Sequence, residues 1–506
     1  MPIAASLKKN FYKDSVALMR IAQKVGAGKG LARVSLLMGT PANKDILAQT
    51  ALLVQALADA APADLMILVE GDDAALAPAL ETIEGELSGR DAAPEGERIG
   101  IAARSLAMGL ERLERATLAQ ISVPGPYAAA EAMKALRKGL HAFLFSDNVP
   151  LAEEQAIKRL AAKKGLLVMG PDCGTAIIGG VPLGFANAVR RGAIGLVGAS
   201  GTGMQEVSVR IHALGEGVSH AIGTGSRDVY EEVGGTTLLA GLDLLARDAG
   251  TRVIVIVSKP PAPAVADRAL SAARACGKPV VVLFLGAKLS GGGNVHPVAT
   301  LEEVAAMAVA LARGEKAGAA SALPAVDVAL AASQKHLRGL YSGGTYCTEA
   351  QYVWKDAGLA TWSNAPVDKK YTLPHGAPSR AHTAIDLGAD EFTVGRPHPM
   401  IDFAARTERL LAEARDPSVA AIVLDVVLGY GSNADPAGEL APAVREARAL
   451  ASREGRQLAV VGFVCGTEGD PQPLAGQTKK LAAAGVTLAP NSTAAARIAA
   501  RIVAGR

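Results

Sequence analysis

From Gly192 to Arg210 the chain reads Gly-Ala-Ile-Gly-Leu-Val-Gly-Ala-Ser-Gly-Thr-Gly-Met-Gln-Glu-Val-Ser-Val-Arg. The apolar run up to Val197 reads as a buried parallel strand, Ser200-Gly201-Thr202-Gly203 as the loop after it, and the remainder as a helix. Glycines let a backbone approach an anion closely, and the first turn of the helix aims its unpaired N–H groups and positive dipole end at the same point. A comparable unit, Gly339-Leu-Tyr-Ser-Gly-Gly-Thr-Tyr-Cys-Thr-Glu-Ala350, carries the loop Ser342-Gly343-Gly344-Thr345. Two such units make an α/β protein with anion chemistry the first reading to test.

Outward from these loops, strands alternate with helices and short connections, which predicts parallel, doubly wound sheets. Residues 1–115 read as an N-terminal α/β domain. Its elements are a helix over Asp14–Val25, the strand Ala32–Met38, a helix near Ala42–Ala60, the strand Leu65–Val69 and a surface loop at Ser88–Gly96. Residues 116–190 form a second unit, 191–315 a third, 316–335 a linker rich in Ala, Ser and Pro, and 336–506 a fourth. The third and fourth units repeat each other. Each has a glycine loop after its first strand, then an Asp beside a glycine turn (Gly225 to Asp228; Asp386-Leu387-Gly388), then a Val/Ile strand (Asp248–Val255; Asp416–Val423). That order reads as an internal duplication.

At 506 residues, with 50% hydrophobic and only 4% aromatic side chains, the composition suits several packed α/β layers. A net charge of +3 with no basic run argues against nucleic acid. Cys173, Cys276, Cys347 and Cys465 lie far apart, so no metal site is expected from them. No apolar run approaches the ~20 residues of a membrane span, and the expectation is a soluble, cytoplasmic protein.

The turns resemble the succinyl-CoA synthetase superfamily, and within it the FdrA family. Ser122-Val123-Pro124-Gly125-Pro126 and Met169-Gly170-Pro171-Asp172-Cys173-Gly174 are similar to turns of the α-subunit CoA-binding domain. Ser200-Gly201-Thr202 and Gly223-Thr224-Gly225-Ser226-Arg227-Asp228 are similar to turns of the α-subunit ligase domain. Ser342 to Thr345, Asp386-Leu387-Gly388 and Gly429-Tyr430-Gly431 fall where the β-subunit ligase domain places glycine turns near its phosphate. The resemblance implies Rossmann- and flavodoxin-like domains: a CoA-binding-like one at 116–190 and two ligase-like ones at 191–315 and 336–506.

Three departures accompany it. Where the superfamily phosphorylates a histidine in Gly-His-Ala-Gly, the chain has Gly293-Asn294-Val295-His296-Pro297. The Gly-Glu that orients that histidine is replaced near Ser258-Lys259-Pro260-Pro261. Neither an ATP-grasp domain nor a Gly-x-x-x-x-Gly-Lys-Ser/Thr loop has a counterpart.

The residues expected to bind phosphate or substrate are therefore Gly201, Gly203, Gly225, Asp228, Ser342, Gly343, Gly344, Thr345, Asp386, Gly388, Gly429 and Gly431. Ser200, Thr202 and His296 are the catalytic candidates. Pro124, Gly125, Pro126, Gly170, Pro171, Asp172 and Cys173 are the CoA-like set, with Cys173 read as a packed thiol rather than a nucleophile. His382, four residues before Asp386, and His398, between prolines, are further histidines that could face a site.

The resemblance implies transfer of a carbamoyl group between phosphate and an amide in allantoin breakdown. Phosphate or carbamoyl phosphate would be the substrate, CoA a possible cofactor, and further subunits would complete a homo- or hetero-oligomer. The alternatives are an ADP-forming acyl-CoA ligase using ATP chemistry supplied by a partner, and a non-catalytic CoA-sensing scaffold.

Overall fold

The computed structural model describes residues 2–504 apart from 12, 14, 27, 41–42, 45–46, 49–51, 89–102, 319–320, 327 and 394–396. The chain divides into two compact units: Met1–Arg115 with Asp390–His398, and Ala116–Ala389 with Pro399–Arg506.

In the first unit β1 (Ile3–Lys8), β2 (Leu31–Met38) and β3 (Leu65–Gly71) form an antiparallel sheet in the order β1-β3-β2. The central β3, Leu-Met-Ile-Leu-Val-Glu-Gly, is the most apolar of the three and is buried almost throughout. Leu18, Ile21 and Val25 of the Ser15–Gly26 helix and Ile83 and Leu87 of the Asp73–Ser88 helix pack with Leu36 and Ile67 of the sheet. The first helix, β2 and β3 lie where the sequence places them. β1 was not anticipated, because its six residues are uniformly half-buried and show no clean alternation. Of the helix expected near Ala42–Ala60, Gln55–Ala58 is helical. Part of that stretch, and the Ser88–Gly96 loop beyond Ser88, lie outside the described residues.

The second unit begins with β4 (Leu118–Ile121), β5 (His141–Leu144) and β6 (Val168–Met169), parallel and in chain order. The helices Gly125–Arg137 and Leu151–Lys164 bury Ala128, Ala132, Leu136, Ile157 and Ala161 with Ile121, Ala142 and Leu144. A seven-stranded sheet follows. It comprises β7 (Thr175–Ile178), β8 (Val181–Gly184), β9 (Arg191–Gly198), β10 (Val218–Gly223), β11 (Val253–Ser258), β12 (Val280–Phe284) and β13 (Val295–Pro297), in the order β13-β12-β11-β9-β10-β7-β8. The β7–β8 hairpin is antiparallel and extends this sheet, although the sequence reading grouped residues 175–184 with the preceding unit.

The last sheet is parallel throughout: β14 (His336–Tyr341), β15 (Thr361–Ser363), β16 (His382–Asp386), β17 (Val419–Val427), β18 (Ala459–Cys465) and β19 (Thr487–Leu488), ordered β15-β16-β14-β17-β18-β19. Every residue of β11 and β17 is buried, as continuous apolar strands covered on both faces must be.

The two large sheets share a plan. In each, the strand that runs into the glycine loop, β9 or β14, stands inside the sheet, with β10 or β16 on one side and β11 or β17 on the other. Strand order reverses beside that strand, and doubly wound sheets open their ligand crevices at such points, beyond the carboxyl ends of the strands. Both glycine loops leave from those ends.

Candidate functional site

The Gly201–Ala213 helix starts immediately after Ser200, and the Gly344–Asp356 helix after Gly343. In each, the fourth amide makes the first intrahelical bond: Met204 N to Ser200 O at 2.9 Å, and Cys347 N to Gly343 O at 3.3 Å. The amides of Gly201, Thr202 and Gly203, and of Gly344, Thr345 and Tyr346, therefore have no carbonyl to meet within their own helices. Neither N-cap residue closes its helix with a side-chain bond.

The two helix starts come together. Ser200 Oγ and Thr345 Oγ1 share a buried hydrogen bond of 2.7 Å. The glycines make that approach possible. A Cβ on Gly203 would collide with Ser200 Oγ and stand 2.9 Å from Thr345 Cγ2, and one on Gly343 would collide with the Thr202 side chain. Ser200, Thr202, Gly203, Gly343 and Thr345 are buried, while Gly201 and Gly344 keep partial exposure and mark the open side. Two positive dipole ends thus lie side by side, an arrangement that suits an anion.

Charged side chains frame it. Asp425 of β17 accepts from Ser342 N at 2.8 Å and from Ser342 Oγ, and the buried Arg406 lies 3.3 Å from the Asp425 carboxylate. The Ser342 hydroxyl is thereby committed as a donor inside the protein. Asp386, ending β16, accepts from Gly388 N at 3.0 Å. A Cβ on Gly344 would stand 2.6 Å from Asp386 Oδ2 and 3.5 Å from Lys259 Nζ. Lys259 directly follows β11, so Asp386 and Lys259 come from strand ends of the two sheets, Asp425 lies near the end of β17, and Arg406 comes from the Ala404–Ala414 helix.

The other candidates form separate groups. Gly170, Pro171, Asp172 and Gly225 pack together. Gly225, at φ +84°, lies against Gly170 and Pro171, and Ser226 Oγ donates to Asp172 Oδ2 at 2.6 Å. Burial pushes the Cys173 thiol up to about 12, which leaves it a packed thiol. Gly125 begins its helix against the carbonyls of Asp147 and Asn148, between Pro124 and Pro126. Asp228 is fully buried. It accepts from Thr237 N and Leu238 N at 3.0 and 2.9 Å, at the start of the Thr236–Arg247 helix, and pairs with Lys158 at 2.7 Å. Those contacts join the Leu151–Lys164 helix to the seven-stranded sheet. Gly429 and Gly431 adjoin Ala186 and Phe185, with Tyr430 N donating to Ala186 O at 2.9 Å.

His296 lies on β13, three strands from β9, and pairs in register with Val281 near the start of β12. At ~4.8 Å between strands that is about 14 Å across the sheet. His382 opens β16 at the end opposite Asp386, where it accepts from Leu337 N at 3.2 Å; burial pushes it down to about 4.

Sequence reasoning passed over two buried carboxylates, Glu206 and Glu349, each six positions beyond its helix N-cap. Glu206 accepts from Ser492 N at 3.2 Å, at the start of the Ser492–Ala504 helix. Glu349 accepts from Leu301 N at 2.8 Å, at the start of the Leu301–Arg313 helix, and from the hydroxyls of Ser492 and Thr493. Each of these two helices thus caps the last helix of the half built on the other large sheet. Burial raises both carboxyls, Glu206 to about 7. The signal was present in the duplicated loop-to-Glu spacing.

Comparison with known proteins finds family-model domains on both large sheets, the CoA binding one on the seven-stranded sheet rather than at 116–190. Residues 189–286 match the CoA binding domain model and residues 340–502 the CoA-ligase model. Residues 1–100 match a model described as the AllF heavy metal-associated domain, yet contain neither Cys nor His. The chain is 28% identical over 151 residues to the ADP-forming sulfoacetate-CoA ligase subunit SauD of Bilophila wadsworthia, covering 28% of this chain and 50% of that subunit. It is 27% identical over 143 residues to the ADP-forming succinate–CoA ligase subunit alpha 2 of Archaeoglobus fulgidus, covering 28% and 48%. These matches span about half of each ligase subunit. Over 501 residues, 97% of each chain, it is 42% identical to the uncharacterized protein YahF of Escherichia coli (strain K12). With both ligase-family domains in place and a relative matched from end to end, the chain belongs to the FdrA-like branch of the succinyl-CoA synthetase superfamily.

Proposed function

We propose that the protein transfers a carbamoyl group between phosphate and an amide, as one subunit of a larger enzyme. The reaction is oxalurate plus phosphate giving oxamate and carbamoyl phosphate. A phosphate oxygen attacks the carbamoyl carbon, the carbon–nitrogen bond to the oxamate half breaks, and the phosphate proton passes to the departing amide nitrogen. The observation that carries this reading is the junction of the two uncapped helix starts at Ser200 and Thr345. Their N–H groups hold the phosphate oxygens and stabilise charge on the carbonyl as the tetrahedral centre forms. No covalent nucleophile is needed, which agrees with His296 lying on a distant edge strand. The match of residues 1–100 to the AllF domain supports a place in allantoin breakdown.

CoA ligation is the second reading, favoured by the CoA binding domain match. That match covers residues 189–286 and so falls on the sheet with the strand-order reversal beside β9, while β4, β5 and β6, next to the turns expected to hold CoA, stand in chain order with no reversal. Incubation with oxalurate and phosphate, followed by phosphorus NMR, separates the readings when partner subunits are added. Carbamoyl phosphate formed without CoA supports the transferase. A phosphorylated histidine and CoA-dependent turnover support the ligase.

A further inference from the structure

The geometry points to Lys259 as the cation of the anion site, the side chain that makes the shared helix ends accept a free phosphoryl dianion. This rests on the shared site proposed above. Lys259 leaves the carboxyl end of β11, at the strand-order reversal beside β9. A Cβ placed on Gly344, the first residue of its helix, would lie 3.5 Å from Lys259 Nζ. The ammonium is near enough to favour the Cys347 thiolate one turn into the same helix, against the stronger effects of burial and of Asp386. Beside it, Ser258 is fully buried and its hydroxyl has no hydrogen-bond partner among the described residues, so the strand end carries an unsatisfied polar group.

Charge decides what Lys259 does. Asp386 Oδ2 reaches the same helix start, 2.6 Å from the Gly344 Cβ position. A dianion entering there meets a carboxylate, and Lys259 is the cation placed to offset it. An ammonium donates to phosphate oxygens as a compact charge with rotatable donors. With Lys259 offsetting Asp386 at the start of the Gly344 helix, the site fits a phosphoryl group that arrives free in solution, as inorganic phosphate or an acyl phosphate.

The test is calorimetric titration of the full chain with inorganic phosphate and then carbamoyl phosphate, using wild type, Lys259→Met and Lys259→Arg. Lys259 is exposed, so neither change disturbs the core. The expected result is wild-type binding, a loss of at least about tenfold in Lys259→Met, and near-wild-type affinity in Lys259→Arg. The wild type should also lose affinity more steeply with added salt than Lys259→Met does. Equal binding by wild type and Lys259→Met overturns the role of Lys259 while leaving the shared anion site standing. If wild type binds neither ligand, the anion site falls and Lys259 with it.

Discussion

Ser200 and Thr345, 145 residues apart in the chain, are joined by a buried hydroxyl–hydroxyl bond of 2.7 Å. The bond ties together the helix starts that follow β9 and β14, one on each large sheet. Removing one partner leaves the other hydroxyl buried and unsatisfied, at a cost of about 1–3 kcal/mol, whereas removing both is milder. Ser200→Ala and Thr345→Val should each lower the melting temperature. The double variant should lose less than the sum of the two, by about 0.5–3 kcal/mol of coupling. Strict additivity would show that the bond does not form.

The glycines of the two loops divide by task. Gly203 and Gly343 have no room for a Cβ, so Gly203→Ala and Gly343→Ala should destabilise by about 1–3 kcal/mol through overpacking. A Cβ on Gly201 meets only Thr175, no closer than 3.4 Å, so Gly201→Val should melt like wild type and lose phosphate. Normal phosphate affinity in a folded Gly201→Val protein would place the ligand elsewhere.

His296→Ala should keep most of the transfer activity, since the residue stands on an edge strand well away from the loops. A fall of several orders of magnitude, together with a phosphorylated wild-type histidine, would instead favour the ligase reading.

Glu206 offers a pH test with a definite sign. Its carboxyl is raised by burial to about 7 from a usual 4.5. The unfolded chain therefore gives up this proton at lower pH than the folded one does, and the group's contribution to stability falls as pH rises from about 4.5 to 7. His382, pushed down to about 4 from 6.5, acts in the opposite direction over part of that window. The measurement is accordingly a difference. Glu206→Gln relative to wild type should gain thermal stability steadily between pH 5 and 7 and hold the gain at pH 8. A difference that does not change with pH would place Glu206 in an open, solvated setting. Glu349, also raised by burial, leaves a residual slope in both proteins.

Most of the fold was legible because its strands are continuous apolar runs closed by glycine turns. The repeated order of turns also anticipated the shared plan of the two large sheets. The β7–β8 hairpin was missed, since Thr175–Gly184 is short and its partner β10 lies beyond the next helix in the chain. Within the site, the two loops were legible as glycine clusters beside hydroxyls. Which glycines pack and which stay open was not, because Gly203 is judged against Thr345, and Gly343 against Thr202, across more than a hundred residues of chain. Asp228 was read as facing substrate because it follows a glycine turn. Only the fold reveals the amides of Thr237 and Leu238 and the Lys158 ammonium that hold it. Asp425 carried no local signal, and Lys259 stood out only as part of the Ser258–Pro261 departure, since a charged residue at a strand end gains meaning only from what the neighbouring sheet presents.

The central claim is that one anion is served by both loops. Its most direct test is the stoichiometry of phosphate binding to wild type, Gly201→Val and Gly344→Val, titrated under one set of conditions. The account predicts one phosphate per wild-type chain, and loss of that same site in each variant although the substitutions lie in different halves. Two phosphates per chain, each removed by only one of the substitutions, would contradict it.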